Sequence, residues 1–321
     1  MIAAHTPVQS AFLDAVRPIG ALGVHMFFAL SGFLITFRLL EEFEQTEKID
    51  LPAFYRRRSR RILPPALIYL ALLALLGPGL HVFQTSFSEL SASLFFYRNV
   101  LQPPLPGAWY TAHFWTLSLE EQFYLFWPSV LVLVGPKRQR TVWVTLGMIL
   151  ACVLWRNHVL SLDPASNIYR PDLLADHLLW GCLFGLCWRS VETRFSRRVR
   201  MWAGLTGIGI ATLLIYWQPL YWQPLFAFCV ALGFILSAEA AQAWAGRLTP
   251  LQTMGKASYD CYIWQSLFLP LPLLGLAMPI WQRVPWSYAG IAVVTAGSYL
   301  LTFPRRRKNA NLPSRDSHGA D

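Results

Sequence analysis

The 321-residue chain is 55% hydrophobic and only 14% charged, with 14 Trp, 12 Tyr and 21 Phe, a composition that excludes an ordinary soluble domain. Its formal net charge of +10 sits in short segments between apolar runs rather than on a polar face, so no nucleic acid is expected as a partner. The five cysteines, Cys152, Cys182, Cys187, Cys229 and Cys261, fall inside apolar stretches with no loop pairing and no metal-ligand spacing, so no metal is expected either.

Apolar runs bounded by charge or by Gly and Pro predict nine spans, at about 20–39, 62–80, 114–134, 141–159, 172–188, 201–217, 220–238, 258–277 and 285–303. A bilayer core about 30 Å thick needs roughly 20 such residues. The expected fold class is therefore all-α, a polytopic membrane helical bundle in contact with membrane lipid. Its loops alternate sides, and all but five of the 27 Lys and Arg fall to one set. The five are Arg17, Arg98, Arg156, Arg170 and Arg283. The positive-inside rule makes the rich set cytoplasmic and places the C-terminus inside, as expected of a multi-pass protein of the plasma (inner) membrane. Nine spans then put the first residues outside, and "MIAAHTP" reads as the last turn of a membrane helix, so an upstream tenth helix is expected. The tandem "YWQPLYWQPL" at 216–225 reads as an aromatic-anchored external turn. A membrane domain over 1–303 precedes a polar, disordered cytoplasmic tail, 304–321.

Ionisable groups at membrane depth are costly, and each is a functional candidate. "HFWTLSLEEQFYLFWP", 113–128, brings His113, Glu120 and Glu121 into one span. Adjacent carboxylates on a helix point about 100° apart, so at most one faces a given cavity directly. Acidic residues set against a helix macrodipole are the competing explanation. His5 reads locally as either an interface histidine or a proton acceptor. His25, His177 and Gln265 read as packing or hydrogen-bonding residues, since their spacing forms no H-x-x-x-H motif. No nucleophile elbow, P-loop or dinucleotide fingerprint is present. "FYRRRSRRILPP", 54–65, holds five arginines between 56 and 61. They form either a topogenic stop that attracts anionic lipid or a phosphate-binding cluster.

"GVHMFFALSGFLIT" (23–36), "FYRRRSRRILPP" (54–65), "HFWTLSLEEQFYLFWP" (113–128) and "GKASYDCYIWQSLF" (255–268) resemble, in order and spacing, the motifs of the acyltransferase-3 family of integral membrane O-acyltransferases. The resemblance covers about 5–303. It implies ten membrane helices and transfer of an acyl group, commonly acetyl, from cytoplasmic acyl-CoA to a hydroxyl of a carbohydrate, glycolipid or other glycoside. It further implies that acyl-CoA is the donor substrate and that His5, eighteen residues before Gly23, is the family's essential histidine. Arg58 and Arg61 match its paired arginines, with Arg57 beside them, as the acyl-CoA-binding set. Glu120, with Glu121 second, matches its acidic site. His25 stands where an Asp is usual, Gln265 where many members carry His, and the arginine the family carries upstream of His5 has no counterpart.

Ester formation needs a hydroxyl made nucleophilic. An imidazole with an ordinary pKa of about 6.5 serves as base near neutrality, or is itself transiently acylated. Glu120 would orient that imidazole. A transporter or flippase for a lipid-linked sugar uses similar buried polar groups, and a truncated inactive relative is a third reading.

Overall fold

A computed structural model describes residues 11–76, 85–101, 109–135, 137–217, 223–245, 249–268, 285 and 288–298. His5, residues 218–222 of the stretch expected as an external turn (216–225), and the tail from 304 lie outside the described residues. The described chain is a helical bundle, with α1 (Ala11–Thr46), α2 (Leu51–Leu76), α3 (Phe87–Leu94), α4 (Trp109–Ala112), α5 (Phe114–Val134), α6 (Arg138–Leu162), α7 (Pro171–Leu174), α8 (Asp176–Arg194), α9 (Arg197–Trp217), α10 (Gln223–Ala245) and α11 (Thr249–Phe268). A further helical stretch covers Tyr288–Ser298. Among the described residues, α1 from Leu22, α2, α6 and α9 are long and apolar enough to cross a membrane. The expected all-α membrane architecture is thus present, and α5, α8, α10, α11 and the last stretch overlie the other expected spans.

α1 overruns its expected span at both ends, beginning at Ala11 and continuing to Thr46, against an expected 20–39. Hydropathy sees only the lipid-facing part of a helix. The Glu- and Leu-rich segment that follows Arg38 is good helix-forming sequence, and it propagates the helix into water until the turn before α2. Glu47 there has φ 56°. Asp50 Oδ1 accepts from the Ala53 backbone N–H at 2.8 Å, satisfying one orphan donor at the start of α2. Glu42 ties this hairpin, accepting from the Asp50 backbone N–H at 3.1 Å and pairing with Arg57 at 3.1 Å.

Packing is closest where side chains are absent. A Cβ added at Gly32 on α1 would run into the Leu178 carbonyl of α8, and one at Gly181 on α8 into the Ala29 carbonyl of α1. Small residues let membrane helices approach at backbone distance, where van der Waals contact replaces the hydrophobic drive that lipid cannot supply. The apolar surface turned outward is extensive, including Leu133 at 83% exposure and Leu213 at 71%, as expected of helices whose solvent is lipid. α3 is built the other way round. A capping box joins Ser86 and Glu89, Glu89 and Ser93 are buried, and Phe87 and Phe95 are exposed.

Candidate functional site

The α5 motif supplies the acidic half of a polar centre inside the bundle. Glu120 is buried at 2% exposure and lies beside Ser31 of α1, Tyr124 and Arg58. Glu121, one residue on, turns to α2 and meets Arg58, whose Nε is 3.7 Å from its Oε1. The two carboxylates thus diverge as adjacent helical positions require. The Arg58 guanidinium carbon also lies 3.5 Å from the centroid of the Tyr124 ring, a cation–π contact that fixes its plane. Arg58 Nε, Glu120 Oε1 and the Tyr124 hydroxyl are buried without a hydrogen-bond partner among the described residues. Such atoms cost about 1–3 kcal/mol each when left unmade.

The opening arginines therefore do not act alike. Arg58 points inward to Glu121 and Tyr124, Arg57 pairs with Glu42 at the bundle's edge and is 60% exposed, and Arg61 is exposed. Arg58 stands seven positions into α2 and Glu120 six positions into α5. At about 1.5 Å per residue, both lie roughly 10 Å inside their helices, counted from opposite ends. The arginine read from sequence at the mouth and the carboxylates read from the far side meet within one centre.

Beside this centre, α1, α5 and α11 enclose a cavity of about 180 Å³ lined by Gly23, Val24, Phe27, Thr116, Ser258, Tyr259 and Tyr262. Thr116 lies one turn from Glu120 on α5. Tyr259 donates to the Ile62 carbonyl at 3.0 Å and is within electrostatic reach of Arg58 and Glu121. Tyr262 donates to the His113 carbonyl at 2.8 Å. His113 is buried and packs among Tyr69, Phe114 and Tyr262. The cavity is smaller than the roughly 300–1,000 Å³ of a site that encloses a drug-sized ligand.

A second polar cluster lies across α1, facing α8. Arg156 of α6 forks onto Asp176 of α8 through two bonds of 2.9 Å and gives a third of 2.8 Å to the Leu173 carbonyl. Arg156 is 2% exposed and Asp176 0%. Asp176 also holds His177 Nδ1 at 3.2 Å, and the His177 ring lies 4.5 Å from that of His25. The sequence reading counted Arg156 among external flanks; it is instead a buried structural partner. A lone arginine inside an apolar run, with an aspartate 20 residues on, was the available signal. Tyr124 was also missed, though it stands three and four positions after the paired glutamates, where helical neighbours meet. Ser31 left no sequence signal. His5, the expected base, lies outside the described residues.

Among the described residues, no group of three or more His, Cys, Asp or Glu is placed to hold a metal ion. The acyltransferase domain family model matches residues 1–303. The peptidoglycan O-acetyltransferase OatA of Listeria monocytogenes is 27% identical over 329 residues, covering 90% of this chain and 51% of that protein. The O-acetyltransferase OatA of Staphylococcus aureus is 27% identical over 278 residues, covering 76% of this chain and 45% of that protein. The chain spans about half the length of these curated relatives. No solved structure matches it. With the matched family spanning nearly the whole helical bundle and its acidic and arginine motifs meeting in one buried centre, the chain belongs to the acyltransferase-3 family.

Proposed function

We propose that the protein is a membrane O-acyltransferase that moves an acyl group, acetyl by analogy with the relatives' names, from cytoplasmic acyl-CoA to a hydroxyl of a glycan, glycolipid or other glycoside. The observation that carries this reading is Arg58, held over Tyr124 and only loosely engaged by Glu121, beside the buried Glu120 and a small cavity. A guanidinium with an unfilled donor suits a phosphate of the donor, and the cavity suits the acyl end of its arm. Arg61 completes the phosphate set at the bundle edge, whereas Arg57, the third arginine of the expected set, is engaged by Glu42 and adds little to it. The arginine-rich loops face the cytoplasm, as does the C-terminus, because the Lys and Arg are partitioned so unequally between the two sets of loops.

In the reaction the hydroxyl oxygen attacks the thioester carbonyl. The new O–C bond forms as the C–S bond breaks, and His5 takes the hydroxyl proton, which returns to the departing thiolate. Glu120, with Glu121 as second candidate, stabilises the charged imidazole. A lost general base lowers kcat by typically 10²- to 10⁴-fold. His5→Ala should therefore abolish ester formation while acyl-CoA still binds, as followed by calorimetric titration alongside the ester assay. A mutant that keeps more than about a tenth of the wild-type rate, well short of that loss, shifts the base to His25 or His113. The names of the relatives make soluble peptidoglycan fragments the first acceptors to test.

A further inference from the structure

The cluster across α1 plays no part in that chemistry, yet it leaves several buried polar atoms unmet. His177 Nε2, His25 Nδ1, Trp180 Nε1 and Gln223 Oε1 are all buried without a hydrogen-bond partner among the described residues. Two of these residues share one ring, and Trp180 packs on the nearby Phe228 of α10, 4.9 Å between centroids. His25 lies 4.9 Å and His177 6.2 Å from Phe226 of α10, centroid to centroid. Trp180 follows His177 by one turn of α8, and Gln223 precedes Phe226 by one turn of α10. Packing alone would be better served by carbon, since each orphan costs about 1–3 kcal/mol and native structures hold few of them.

The chemistry of the set selects its ligand. Arg156 and Asp176 form a closed, bidentate pair, so neither turns its charge outward to a phosphate or an ammonium. Asp176 also orients His177 through Nδ1, which leaves Nε2 as the ring atom free for a ligand. The indole N–H only donates and the amide oxygen only accepts. A hydroxyl is the neutral group that both donates and accepts, and aromatic faces beside such groups suit the C–H surface of a sugar ring. His177 is the second residue of α8 and Gln223 the first of α10, so the cluster lies towards the end of the bundle opposite the arginine-rich loops. That is the side from which a glycan acceptor arrives.

We propose that His25, His177, Trp180 and Gln223 form a subsite for hydroxyl groups of a neutral carbohydrate, positioned by the Arg156–Asp176 pair between α1, α8 and α10. It rests on the acyltransferase reading for its biological ligand, and it binds the acceptor chain at a distance from the acyl centre. The test uses the full chain in detergent, with soluble peptidoglycan fragments titrated by calorimetry and CoA release from acetyl-CoA assayed in parallel. His25→Phe and Trp180→Phe keep an aromatic ring at each position and remove its hydrogen-bonding nitrogens, including the unpartnered His25 Nδ1 and Trp180 Nε1. The double variant should weaken fragment binding about tenfold or more, the effect of roughly two lost hydrogen bonds, with donor KM unchanged and thermal stability equal or higher. Fragment affinity within about twofold of wild type, a difference under half a kcal/mol, would reduce the cluster to packing, as would wild type that binds no fragment. Fragment binding lost in the variant, but with no CoA release even by wild type, would leave the subsite standing and overturn the acyl-transfer reading.

Discussion

The bundle contains two arginine–carboxylate pairs that differ in almost every physical respect. Arg156 and Asp176 are joined by two bonds of 2.9 Å at 2% and 0% exposure. Arg58 and Glu121 stand 3.7 Å apart at 25% and 22%. The first pair is a short, bidentate clamp between α6 and α8. The second is longer and more exposed, has a second carboxylate in Glu120 beside it, and is open to a ligand. Both arginines keep an unmet Nε, so the looseness of the carboxylate pairing, not burial or an orphan donor alone, separates the two.

If that contrast is right, the two pairs respond oppositely to mutation. The largest effect belongs to the clamp. Asp176→Ala leaves a buried guanidinium uncompensated and should cost about 3–5 kcal/mol of stability, whereas the double variant Arg156→Met with Asp176→Leu should regain most of it. Thermal unfolding in detergent measures both. Equal loss in the single and double variants would mean that the helix contact, not the charge, is what matters. At the open pair, Glu121→Gln should change stability by about 1 kcal/mol or less, the loss appearing in turnover instead. A fall in stability as large as that of Asp176→Ala would erase the distinction between the pairs. The smallest effect is expected at Arg57, exposed and paired only with Glu42. Arg57→Ala should leave stability within about 1 kcal/mol and donor KM within about threefold, the kinetic equivalent of roughly half that energy.

Much of the open site was legible in the sequence because its residues belong to local motifs: Glu120 and Glu121 are adjacent, and Arg58 stands in a run of arginines. What the sequence did not disclose was their meeting. Positive-inside counting assigns a residue to a side of the membrane, not to a depth, and Arg58 reaches inward from the second turn of α2 to the carboxylates. The clamp was illegible for a related reason. Arg156 lies near the end of an apolar run, so hydropathy reads it as a flank, and only the approach of α6 to α8 shows that its partner is Asp176. The α1–α8 contact that places His25 on His177 depends on glycines whose value is the absence of a side chain. Nothing in their local sequence names the helix they admit.

The central claim is that Arg58 binds the acyl donor. Its most direct measurement is the rate of CoA release against acetyl-CoA concentration, at saturating acceptor, for wild type and Arg58→Ala, with Arg57→Ala as control. Losing a charged contact shared by ground and transition states removes about 1.5–3 kcal/mol of binding. The donor KM of Arg58→Ala should then rise about 10- to 100-fold with a smaller fall in kcat, and Arg57→Ala should track wild type. An unchanged donor KM in a correctly inserted Arg58→Ala protein would contradict the account and leave the arginine run a signal for orientation alone.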